Sequence, residues 1–157
     1  MKKIFKIITL TIMLSYAAYA ETKNEFIFEK TVEEKRAKYV LLNMQQDYIT
    51  CYSFYKIGAE YVRKSDGDNN IINGIEKSAD TSLRLAHETG EIMSMSVDKM
   101  SLKVKYEMKK QLSLIDNNFS NASILLEKYA KTCQNLIKNK KQRISYWEEL
   151  AKKKINE

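Results

Sequence analysis

The chain has 157 residues, of which 44% are hydrophobic and 30% are charged, and its formal net charge is +7. This balance is typical of one domain with an apolar core, and it excludes a wholly disordered chain and a multi-span membrane protein. With no proline and only four glycines, the commonest helix breakers are rare, so helix is expected throughout.

The N-terminus has the pattern of a secretory signal. Lys2, Lys3 and Lys6 precede or border an apolar run at residues 7–14, and the small-residue ending Ala18-Tyr19-Ala20 follows. The pattern predicts a signal peptide at residues 1–20 that is cleaved after Ala20. The apolar run is shorter than the roughly 20 residues that a membrane-spanning helix needs, so stable membrane insertion is not expected. A flexible segment is predicted at residues 21–30.

Export makes the periplasm or the extracellular medium the expected location, and both are oxidising. Cys51 and Cys133 are the only cysteines, and in such compartments two cysteines normally pair. Neither belongs to a CxxC motif, which a zinc or redox site would favour. We therefore predict one structural disulfide within the chain.

The first predicted helix begins at the capping-box sequence Thr31-Val32-Glu33-Glu34 and ends in the polar run at residues 65–70. Apolar and small side chains recur along it at spacings of three and four, which predicts one buried stripe. The members of this stripe are Leu41, Met44, Tyr48, Cys51, Tyr55, Gly58 and Val62.

Three further helices are predicted. The second runs from about Ile71 to Met93 with Asn69 or Asn70 as its cap, and the third is capped by Ser96. The inward positions of the third are Val97, Met100, Val104, Met108, Leu112 and Ile115, and those of the fourth are Phe119, Ala122, Leu126, Tyr129, Cys133, Leu136, Ile144 and Trp147.

Local sequence does not decide whether residues 116–121 form a turn or continue one long helix. The disulfide does decide it. An unbroken helix would carry Cys133 roughly 38 Å beyond the level of Cys51, whereas paired cysteines need Cα atoms within about 7 Å. A chain reversal near Asn117–Asn121 therefore completes the prediction of an all-α, up-down four-helix bundle over residues 31–152, followed by a short basic tail at 153–157.

In this bundle, helices 1 and 4 are longer than helices 2 and 3. Their ends form a two-helix extension beyond the core, over residues 31–40 and 141–152. Aromatic and basic side chains of the extension make it a candidate surface for a protein partner. They are Tyr146, Trp147, Lys141 and Arg143.

The tyrosines of helix 1 have two interpretations. Tyr48, Tyr52 and Tyr55 either pack in the core or line a groove for an apolar ligand. A metal-binding alternative is the set His87, Met93, Met95 and Met100, whose imidazole and thioether groups suit copper. This cluster lacks a repeated methionine motif, so no metal and no cofactor is expected.

No catalytic motif is present. One histidine and two oxidised cysteines cannot supply the usual nucleophile and base pairs, and no glycine-flanked nucleophile occurs. Export argues against nucleic acid as a partner of the basic C-terminal segment. The sequence therefore predicts a small exported helical protein that acts by protein–protein interaction without catalysis, and the alternative is a helical bundle that binds an apolar small molecule or a metal between its helices.

Overall fold

The computed structural model describes the backbone of residues 2–155 and the side chains of residues 31–155. The signal peptide predicted at residues 1–20 and the flexible segment at 21–30 precede the described side chains, and the last two residues of the basic tail also lie outside the described part. Between residues 2 and 155 the chain is helical without strands, so the predicted all-α class is confirmed.

Five α-helices follow one another along the described chain. They are α1 (Lys2–Lys64), α2 (Asn69–Ile92), α3 (Val97–Leu114), α4 (Ser123–Lys138) and α5 (Lys140–Lys154), with a short 3₁₀ helix at Phe119–Asn121 before α4. The predicted four-helix bundle is therefore not confirmed. The fourth predicted segment is divided at Asn139, whose backbone (φ −138°, ψ 59°) leaves the helical region.

Two predicted helix starts need correction. The helix α1 passes through Thr31 without a break, so the capping-box sequence lies inside it. The cap of α2 is Asp68, whose carboxylate accepts a hydrogen bond from the Asn70 amide at 2.8 Å, rather than Asn69 or Asn70. Ser96 caps α3 as predicted, because its hydroxyl accepts from the Lys99 amide.

The turn after α1 depends on both Asp66 and Gly67. Asp66 has the left-handed backbone (φ 52°), and the Gly67 amide donates to the Val62 carbonyl at 2.9 Å. A Cβ atom on Gly67 would lie 2.9 Å from that carbonyl oxygen and closer still to the Val62 side chain. Glycine is needed here for close approach, not for its range of φ.

The helix α1 is the central element of the fold, because each of the other helices packs against it. Its middle part is buried on every side, which is wider than the single predicted stripe. Buried residues outside that stripe are Gln45, Ile49, Ser53, Phe54, Ile57 and Ala59. By contrast, α3 and α4 meet at few positions, and α2 and α4 make hardly any contact with each other.

The predicted disulfide is confirmed. Cys51 of α1 and Cys133 of α4 are bonded, with Cα atoms 5.3 Å apart and both residues 1% exposed. The chain reversal that this bond required is also present, because α3 ends at Leu114 and two residues with left-handed backbone follow, Asp116 and Asn117.

The helix α5 packs along the part of α1 that the sequence assigned to an exposed extension. Ala151 is buried, and Ile144 and Trp147 pack against the core. The prediction that Trp147 lies beyond the core is therefore wrong. Two side chains that were predicted to face the core are instead exposed to solvent, Val97 (73% exposed) and Leu126 (51% exposed).

Candidate functional site: an apolar groove between α2 and α4

An apolar groove opens where α2 and α4 stand apart above α1. Its volume is about 270 Å³. Apolar and aromatic side chains of all three helices and of the segment before α4 line it almost completely. The α2–α4 groove is lined by Phe54, Tyr55, Ile57, Gly58, Tyr61, Val62, Ile75, Ala122, Leu125 and Leu126.

The groove exists because α2 and α4 make hardly any contact with each other and some of its lining residues are small. Gly58 contributes no side chain to the floor, and a Cβ atom placed there would only just touch Ile75, at 4.0 Å. Ala122 keeps the opposite wall low at the start of α4. Leu126, half-exposed at the edge, leaves apolar surface in contact with solvent. The result is an open apolar cleft on the side of the central helix.

A second cleft, larger and more polar, adjoins the groove, because Phe54 and Tyr55 line both. We call this second part the polar mouth. Its volume is about 610 Å³, and its remaining lining residues are Ser78, Ala130, Lys131, Gln134, Ile137 and Lys138. Together, the two parts follow α4 from Leu125 to Lys138, which at the helical rise corresponds to roughly 20 Å.

The structure separates the three tyrosines for which the sequence left both core packing and a ligand groove open. Tyr55 lines both the α2–α4 groove and the polar mouth, and burial raises the pKa of its hydroxyl. Tyr52 is partly buried but is not among the side chains that line either part. Tyr48 is 1% exposed within the core. Burial, together with the negative charges of Asp47 and Glu88, raises the pKa of Tyr48 to about 12.

Sequence reasoning missed most of the groove. Leu126 was assigned to the core, and Leu125 was not singled out at all. The signal that could have located the floor is Gly58 between Ile57 and Ala59, a small residue in an uncharged stretch of helix. A glycine in the interior of a helix weakens that helix, so its presence often reflects close packing or a cavity.

The predicted partner surface is partly engaged within the chain. Arg143 donates two hydrogen bonds to the carboxylate of Asp47, at 2.7 and 2.9 Å, and the Trp147 indole N–H donates to the same carboxylate at 2.6 Å. The hydrogen bonding of Arg143 to Asp47 is the largest cause of a raised pKa of Arg143, and the negative charge of Asp47 raises it further. Tyr146 is 47% exposed and Lys141 is exposed. The group therefore joins α5 to α1, and only Tyr146 and Lys141 remain directed mainly to solvent.

A buried polar network between α1 and α3 was not predicted. Glu107 is 1% exposed, and its carboxylate accepts hydrogen bonds from Gln46 at 3.2 Å, Gln111 at 3.1 Å and Lys110 at 3.1 Å. Gln111 also donates to the Thr50 carbonyl at 2.9 Å. Its three donors allow the carboxylate to remain buried, so we interpret the network as structural.

Two of the three methionines of the alternative metal site, Met95 and Met100, lie beside an amide group. The Gln45 side-chain nitrogen lies 3.4 Å from the Met95 sulfur and 3.7 Å from the Met100 sulfur, and Lys103 donates to the Gln45 oxygen at 2.7 Å. Within residues 31–155, no three His, Cys, Asp or Glu side chains are grouped so that they could hold a metal ion. In the same part of the chain, no helix combines the length and apolarity needed to cross a bilayer.

Comparisons with known proteins give no assignment. No family model matches the chain, and searches of curated proteins and of solved structures find no significant match.

Proposed function

We propose that this protein is an exported, noncatalytic binding protein that holds an apolar molecule in the α2–α4 groove. The observation that carries the proposal is the groove itself, an apolar cleft of about 270 Å³ formed by three helix walls and open to solvent. The buried disulfide supports an oxidising location, either the periplasm or the extracellular medium.

The size and chemistry of the groove suit a small apolar ligand. A cavity of about 150 Å³ lined by apolar side chains is enough to bind benzene, and the groove is larger. Burying apolar surface contributes about 25 cal/mol per Å², so a ligand that covers Leu126 and the rim of Tyr61 would gain affinity from surface that is otherwise hydrated. Pockets of this kind, concave and mostly apolar, are the usual sites for small molecules.

Filling the floor of the groove tests the proposal. We expect Gly58→Leu to lower the affinity for N-phenyl-1-naphthylamine, an uncharged fluorescent apolar probe, by at least about tenfold, because the new side chain extends into the cleft. The helix itself should tolerate the change, since a Cβ atom at Gly58 meets only Ile75 at contact distance, and replacing a helical glycine favours the helix.

The matched control is Gly74→Leu. Gly74 is also helical, and nothing lies within 4 Å of a Cβ atom placed there, so this variant should bind the probe as the wild type does. Probe affinity that is equal in the two variants and the wild type would contradict binding in the groove. Native mass spectrometry of protein purified from its own host, with elemental analysis, would then identify a copurifying molecule.

A second candidate function is protein–protein interaction through α5. It is favoured by the exposed ring of Tyr146, which is held in an edge contact with Trp147 (ring centroids 4.9 Å apart) and lies 4.7 Å from the Arg143 guanidinium carbon. Tyrosine, tryptophan and arginine are the residues most enriched among those that dominate binding energy at interfaces. Tyr146→Ala should abolish capture of a specific partner without changing the affinity for the apolar probe. A partner captured equally well by this variant would argue against the α5 surface.

A further inference from the structure

The two parts of the cleft differ sharply in chemistry. The α2–α4 groove is lined by apolar and aromatic residues without a charged side chain, whereas two lysines, Lys131 and Lys138, line the polar mouth. No acidic side chain is among the described residues that line either part. The cleft therefore combines an apolar end with a cationic end along one face of α4.

The two lysines lie on one face of α4 because they are seven residues apart, which is close to two helical turns and roughly 10 Å. Neither forms an ion pair with a described carboxylate, within the 4.0 Å limit of an N···O contact. Gln134, halfway between them, adds an amide group to the same lining. Three polar side chains are thus available to a ligand at this end.

The cations near the opposite end of the groove are already engaged. Arg63 pairs with Glu60 at 2.6 Å and with Glu76 at 2.8 Å. Lys64 pairs with Glu60 at 3.7 Å and lies 4.1 Å from the centre of the Phe119 ring. Among the described residues that line the cleft, the lysines are Lys131 and Lys138, both unpaired and both at the polar mouth. A negatively charged group would therefore bind at that end, which defines the direction in which an elongated ligand binds.

Resting on the proposed function, we propose that the ligand is a free fatty acid, with its alkyl chain in the α2–α4 groove and its carboxylate between Lys131 and Lys138. The geometry suits a molecule of this shape. From Leu126, in the apolar part, the helical rise gives about 8 Å to Lys131 and about 18 Å to Lys138. An extended chain of about twelve carbons is comparable with this span. A lysine ammonium group attracts a carboxylate as a point charge without requiring one fixed orientation.

Three probes with the same alkyl chain test the role of charge: dodecanoate, dodecanol and dodecylammonium, each below its aggregation concentration and measured by displacement of N-phenyl-1-naphthylamine from the full mature chain. We expect dodecanoate to bind about tenfold more tightly than dodecanol, and dodecylammonium to bind most weakly. Because the lysines are exposed, raising the salt concentration should reduce the advantage of dodecanoate.

The matched variants are Lys131→Glu combined with Lys138→Glu, and the control Lys105→Glu on the exposed surface of α3. The double variant should lose about tenfold or more in dodecanoate affinity and keep its affinity for dodecanol, whereas the control should change neither. Melting followed by circular dichroism shows that each variant is folded.

The outcomes separate the two proposals. If dodecanol binds as tightly as dodecanoate, or if the double variant binds dodecanoate unchanged, the fatty-acid proposal is overturned while the apolar groove remains supported. If neither the fluorescent probe nor any of the three amphiphiles binds, both proposals are overturned. If dodecanoate binds to Gly58→Leu as tightly as to the wild type, the fatty-acid proposal is also refuted, because the alkyl chain would then lie outside the groove.

Discussion

Removal of the Cys51–Cys133 disulfide should destabilise the protein strongly and also lower the affinity of the groove for an apolar ligand. The bond joins residues separated by 82 positions, and the chain-entropy model for a closed loop of that length gives about 4.5 kcal/mol of stabilisation. A domain of this size is stable by only roughly 5 to 15 kcal/mol. The double variant Cys51→Ala/Cys133→Ala is therefore expected to fold with much of its stability lost.

The structure adds a reason to expect the full effect. The helix α4 makes few contacts with α3 and hardly any with α2, so its attachment depends on α1 and on the turn before it. Leu125 and Leu136 are the other buried residues of α4, each 2% exposed or less, and Cys133 lies between them. Without the bond, one wall of the α2–α4 groove is held only by these two leucines and the partly buried residues around them.

Urea unfolding at 25 °C, followed by circular dichroism, measures the loss in free energy directly. The corresponding fall in melting temperature is roughly 15 °C for a domain of this length. Affinity for N-phenyl-1-naphthylamine should also fall in the folded double variant, because the α4 wall is less constrained. A loss of less than about 1 kcal/mol, with probe affinity unchanged, would show that packing alone positions α4 and would refute this reasoning.

Three further changes probe the core and α5. Trp147→Ala should lower the free energy of unfolding by about 2 kcal/mol in urea titrations, because it removes packing and the hydrogen bond to Asp47. An unchanged free energy would show that Trp147 does not contribute to the core. Glu107→Ala should cost about 2 kcal/mol by the same measurement, since Gln46 and Gln111 lose a buried acceptor, and a neutral result would contradict a structural role for the network. Tyr48 keeps its proton up to about pH 12 in the folded chain and only to about 10 when unfolded. The contribution of Tyr48 to the free energy of unfolding is therefore complete below pH 10. It is lost as the pH rises from 10 toward 12, by up to about 1.4 kcal/mol per pH unit. Tyr48→Phe should flatten this alkaline decline between about pH 10 and pH 12, and an identical decline in the variant would exclude Tyr48 as its source.

The periodicity of the sequence predicts part of the groove. Three-and-four spacing along α1 indicates that Tyr55 and Gly58 lie on one face, and both line the groove. The same spacing places Tyr48 on that face as well, yet Tyr48 is enclosed by the core. Spacing tells which side chains share a face, but whether the face is covered depends on where the neighbouring helices lie.

Leu126 and Trp147 also show that spacing along a helix does not determine whether a side chain is covered by another helix. Leu126 was predicted to be buried and lies at the groove edge, because α2 is not close enough to α4 to cover it. Trp147 was predicted to lie beyond the core and packs against it, because α5 folds against the central helix after the break at Asn139. Both differences arise from contacts between residues that are far apart in sequence.

The sequence by itself determined the helical class, the turn after α1, the cap of α3 and the disulfide. These features depend on local chemistry: the absence of proline, the capping side chain of Ser96, the Asp66-Gly67 turn, and two cysteines that follow a predicted export signal. Only the tertiary structure decided that α1 is buried on all sides, that Asp47 joins α5 to the core, and that α2 and α4 leave a groove between them. The reason is physical, since hydrophobic burial is non-directional: an apolar face must be covered, but its pattern does not specify which helix covers it or where the cover ends.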